Sequence, residues 1–170
     1  MDVTYRESWA LIHGLVIGGP LLLAFAGTLS ALVGLRADYL TGEGIHNRVK
    51  LLQIGTCVMA GMTWTLVLIG IWVLLPWYSE DTPSSPRSRL LADPSTRQWH
   101  ELADVWKSHV AFMAPILASA AAALVVYYGA ALARDRTTRN IVLALLLAAF
   151  TVASLSALLG SLVTRAAPLR

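Results

Sequence analysis

The sequence predicts an all-α integral membrane protein, with four transmembrane helices in an antiparallel up-down bundle and a short surface helix before the third. Three observations carry that prediction. The 170 residues are 56% hydrophobic and 14% charged, against about 25% charged in an ordinary soluble domain. Mean hydropathy is +0.63. The apolar residues also gather into four blocks, 9–35, 51–78, 106–133 and 141–164. Each is long enough to cross a hydrocarbon core of about 30 Å, which takes about 20 helical residues. Backbone in lipid must satisfy its own hydrogen bonds, and runs of this length do so as α-helices. The four spans use most of the chain, so residues 1–170 are expected to form one transmembrane domain with no separate soluble catalytic module.

The first span, 9–35, is too long for a secretory h-region of 7–15 residues, and Asp2 and Glu7 stand where a basic n-region belongs. It is therefore expected to be retained. Its Gly14-x-x-x-Gly18 spacing offers a close-approach face to a neighbouring helix. The second span follows a connection, 36–50, that carries Arg36, Arg48 and Lys50. It holds the single cysteine, Cys57, so no intrachain disulfide can form. The long connection 79–105 opens with Pro/Ser-rich turn chemistry. Asp93-Pro94 then supplies an N-cap and a first helical residue, with Trp99, Leu102 and Trp106 at helical spacing. This is the expected surface helix, leading into the third span. The third and fourth spans are joined by RDRTTRN, 134–140, with Arg134, Arg136 and Arg139.

Two faces follow from this order. Side A holds the termini and the long connection; side B holds the two short, arginine-rich connections. Lys and Arg in short loops mark the cytoplasmic face. The expectation is a multi-pass protein of a bacterial inner membrane with side B cytoplasmic and both termini periplasmic. The net charge of +3 is dispersed through loops, which argues against nucleic acid as a partner.

Chemistry centres on the histidines. His13 lies one turn beyond Trp9, and His109 three residues beyond Trp106. At 1.5 Å per residue, each is about 5 Å below an interfacial anchor. The first and third spans run parallel and occupy diagonal corners of an up-down bundle, so two imidazoles at one depth could face each other across a gap. This is the arrangement of a membrane haem b held axially from two helices. Gly14 and Gly18 would leave room for a flat ring, while Arg97 and Lys107 would offset the propionates, with Arg87 and Arg89 also nearby in sequence. Met113 is an alternative axial donor. His46 is expected at an interface and His100 on the surface helix, with a proton relay at a side-A quinone pocket as its alternative; His100 begins an incomplete His-Glu-x-x pattern that lacks the second histidine of a zinc site.

No span carries a central carboxylate, which argues against a proton pump or ion-coupled transporter. The sequence thus points to a b-type cytochrome subunit of a multisubunit redox complex, an electron-transfer component rather than a stand-alone enzyme. Its expected partners are other membrane subunits, a quinone and a periplasmic redox protein. Two other readings fit the same pattern. One is an accessory subunit binding (bacterio)chlorophyll through a single histidine; the other is a structural anchor without a cofactor.

Overall fold

The computed structural model describes residues 4–166, and among them every regular element is helical. Four helices are long and apolar enough to cross a membrane. They are α1 (Tyr5–Val33), α2 (Gly42–Tyr78), α5 (Met113–Ala133) and α6 (Arg136–Ala166). Two short helices, α3 (Pro86–Ala92) and α4 (Pro94–Val105), fill the long side-A connection.

Capping chemistry sets where these helices start. Thr4 and Glu7 form a reciprocal capping box at the head of α1: the Glu7 amide donates to Thr4 Oγ1, and the Thr4 amide to Glu7 Oε2. Thr41 Oγ1 accepts from the Gly44 amide, so α2 begins well before its apolar block. Asp93 caps α4, with Pro94 in its first turn, as the sequence predicts. The sequence reading did not foresee α3, which uses the same device with Ser85 as cap and Pro86 following. At the other end of α5, the α-helix stops at Tyr128, and Gly129, at φ +48°, begins a tighter 3₁₀ turn through Ala133.

Packing follows chain order. α1 lies along α2, α2 along α5, and α5 along α6, while α6 returns to a shorter contact with α1. At that contact Phe25 and Phe150 stack with centroids 3.9 Å apart and planes 6° from parallel. The core occupies the side-B half and the middle: Leu32, Leu35, Leu52, Met59, Ala121, Val125, Leu132, Val142 and Leu146 are buried there. α1 and α2 meet tightly at Gly55, where a side chain would collide with Thr28 Oγ1. Near side A the packing thins. Neither Tyr5–Ile17 of α1 nor Gly70–Tyr78 of α2 contributes a buried residue. At that end a small cluster of Leu90, Ala103 and Val163, with Tyr78 against it, is packed.

Candidate functional site

The loosely packed side-A half is also where three helices depart from α geometry. Ile12–Ile17 in α1, Gly70–Leu74 in α2 and Trp106–Val110 between α4 and α5 are π-helical turns. Such turns are rare and recur at functional sites. His13 stands in the first, and Lys107 and His109 in the third.

His13 is half-buried and its Nδ1 is buried without a hydrogen-bond partner. A buried polar atom left unpaired costs about 1–3 kcal/mol, so its presence calls for a reason. The ring lies beside α2: its Cε1 is 3.8 Å from the point where a Cβ on Gly70 would sit. A Cβ on Gly70 would meet the imidazole at ordinary van der Waals distance, so the ring and α2 are neighbours here without crowding. The two glycines of α1 beside His13 are also uncrowded. Gly14 is exposed and a Cβ there would meet nothing within 4 Å, while one on Gly18 would meet only the His13 carbonyl oxygen, at 3.8 Å.

His109 is exposed, and its Nδ1 lies 3.3 Å from the Val105 carbonyl of its own helix. With Nδ1–H donating there, Nε2 keeps its lone pair for an outside partner. Lys107 runs toward α6, with Nζ 3.5 Å from the position of a Cβ on Gly160. Residues two apart on a helical turn do not face each other. Lys107 and His109 therefore take different faces. His13 thus lies beside α2, Lys107 reaches α6, and His109 is exposed with its Nδ1 turned to its own helix.

Neighbouring groups hold this region in place. Trp106 Nε1 donates to Ser156 Oγ at 2.9 Å, and that hydroxyl donates to the Val152 carbonyl at 2.8 Å. The third-span entrance is thereby fixed to α6. Arg6 pairs with Glu80, and its guanidinium sits 5.9 Å from the Trp77 ring centroid, so the start of α1 is tied to the end of α2. Tyr5 packs edge-on against both Trp9 and Trp77. These residues form an aromatic cluster where the start of α1 meets the end of α2.

The remaining candidates lie elsewhere. Arg97 is exposed and donates to the Leu91 carbonyl at 3.4 Å, bracing the α3–α4 junction. Met113 is 44% exposed. His46 is exposed at the start of α2. His100 is hydrogen-bonded through Nδ1 to the Tyr78 hydroxyl, and the two rings stack with centroids 5.8 Å apart. The sequence reading missed this pair; the available signal was an aromatic at the end of the second span and a histidine on the inner face of the following surface helix. Among the described residues, no group of three or more His, Cys, Asp or Glu side chains could hold a metal ion. The chain has no match among family models, curated proteins or solved structures.

Proposed function

We propose that this chain is a four-helix subunit of a membrane redox complex, holding one haem b in its side-A half through His13. The observation that supports this best is the buried, unpartnered Nδ1 of His13 in the loosely packed half of the molecule. An imidazole nitrogen left without a partner there would suit ligation of a haem iron. A haem would supply one-electron chemistry. The chain's own residues would do the rest. His13 would hold and orient the group, Lys107 would offset a propionate's charge, and Trp106 would keep the third-span entrance against α6. His109, on the far face of its turn, is a second ligand only after that turn rotates.

In this proposal α1, α2, α5 and α6 form an antiparallel up-down bundle in a bacterial inner membrane, with both termini periplasmic. The pairwise packing in chain order supports the bundle. The arginines of the short connections support the orientation. Electrons would pass between a quinone and a periplasmic partner, because the site lies toward side A and other membrane subunits would complete the path.

The exposed His109 supports a second reading. Nδ1 is held by the Val105 carbonyl, and an outward Nε2 suits ligation of a (bacterio)chlorophyll magnesium where another subunit covers this face.

The experiment is a reduced-minus-oxidised spectrum of the protein purified from its own membranes. A b-type α band is expected. Far-red pigment absorption would replace the first proposal with the second, and colourless protein would leave a structural anchor.

A further inference from the structure

The side-B end of the molecule carries a feature with no role in the site above. A cleft of about 630 Å³ opens between the end of α1, the connection after it, the end of α5 and the first turns of α6. Four arginines line it (Arg36, Arg134, Arg136 and Arg139) against one carboxylate, Asp38. We propose that this cleft binds the phosphate headgroup of an acidic phospholipid.

The charge there is unspent. Arg139 uses one terminal nitrogen on backbone carbonyls. Among the described residues, the guanidinium groups of Arg36, Arg134 and Arg136 have neither an ion pair nor a hydrogen bond. The nearby carboxylate of Asp135 is engaged by Thr138, through its amide at 3.0 Å and its hydroxyl at 2.6 Å. Arginine forks match phosphate oxygens in geometry as well as charge. Several of them around one concavity make a site for a phosphate group.

The same cleft has an apolar floor. Leu32, Val33 and Leu143 line it beside the arginines, and Val33 is 51% exposed. Leu32 and Val33 end α1, and Leu143 belongs to the second turn of α6; both helices are long and apolar enough to span a membrane. An acyl chain could continue from the cleft along them. A free phosphate would use the arginines and leave the floor empty, whereas a phospholipid uses both. Basic pockets between spanning helices at the membrane surface take anionic headgroups in this way.

The test uses the full chain in neutral detergent, titrated separately with phosphatidylglycerol and phosphatidylcholine, with bound lipid counted by native mass spectrometry. Phosphatidylglycerol should bind in preference. Each arginine near an anionic headgroup contributes about fivefold in affinity, so Arg36→Gln, Arg134→Gln and Arg136→Gln together should weaken phosphatidylglycerol by about a hundredfold. Phosphatidylcholine should be unaffected. The pair Arg48→Gln and Lys50→Gln, on the same side but outside the cleft, should keep the preference. If the triple variant loses helicity, Arg134→Gln alone should still show the fivefold loss. Equal binding of the two lipids, or an undiminished preference in the folded arginine variants, would overturn the proposal. So would an equal loss in the Arg48/Lys50 pair, or inorganic phosphate at millimolar concentration displacing the lipid.

Discussion

Arg139 is the residue whose removal should cost this fold most for a single polar side chain. Its Nη1 stands 3.0 Å from the Leu35 carbonyl, 3.2 Å from that of Leu132 and 3.2 Å from that of Ala133. These carbonyls lie just past the end of α1 and at the end of α5, where helices leave acceptors unsatisfied. Leu35 and Leu132 are fully buried and Ala133 nearly so, so water is a poor substitute. One guanidinium nitrogen carries two hydrogens, which limits it to two well-made bonds at a time. At about 1.5 kcal/mol for each charge-assisted bond, Arg139→Ala should lose about 3 kcal/mol. Arg139→Lys keeps a cation at two helix C-termini, worth about 0.3–1 kcal/mol, and should lose about 2 kcal/mol. Unfolding of the purified protein in mixed micelles, followed by helicity against rising SDS, reads both values. If Arg139→Ala stays within about 0.5 kcal/mol of the parent protein, Arg139 does not clamp the two helix ends.

Gly55→Val should destabilise by about 1–3 kcal/mol through overpacking, because its Cβ would overlap Thr28 Oγ1 and lie 3.2 Å from Thr28 Cβ; adding Thr28→Ala should recover much of that loss in the same unfolding assay. Asp135 precedes α6, and its carboxyl is held below the usual range by the Thr138 hydroxyl and then by the Thr138 amide. Because the folded value is depressed, its contribution is complete above the ordinary carboxylate value and fades as pH falls below about 4 toward the folded value; Asp135→Asn should flatten that part of an acid-unfolding curve. A reporter inserted in 134–140 should behave as cytoplasmic and one fused after Arg170 as external, and the reverse pattern would invert the membrane orientation proposed above.

The four long apolar helices were legible because hydropathy marks them directly, but their ends were less so. α2 starts at Gly42, not near 51, because Thr41 caps a polar turn that extends beyond the apolar block. α6 starts at Arg136, not 141, for the same reason, with Asp135 accepting from the Thr138 amide. α3 was missed although Ser85-Pro86 carries the same start signal as Asp93-Pro94, because those residues equally mark a turn. Which face a residue takes was the least legible feature. In a soluble helix the polar face identifies itself, whereas a helix that is apolar all round gives no such direction. The π turns add a rotation that the sequence does not announce. His13 and His109 could therefore be placed at one depth, but not turned toward each other.

If both histidines held one iron, His13→Ala and His109→Ala would each remove the whole chromophore, and the double variant would do no more. The side chains favour a different outcome. His13 carries the buried unpartnered nitrogen, while His109 is exposed and bonded to its own helix. His13→Ala should therefore abolish the b-type band, and His109→Ala should keep the bulk of it. Lys107→Gln should keep the chromophore while shifting its midpoint potential downward, since a nearby positive charge favours the reduced, more electron-rich state. Insertion should survive all three changes, because each replaces a polar or charged group by one that is less costly in lipid. Complete loss of the band in both single histidine variants would mean that the 106–110 turn rotates His109 inward when the group binds. Loss in His109→Ala alone would remove His13 from the site and, with it, the reason for its buried nitrogen.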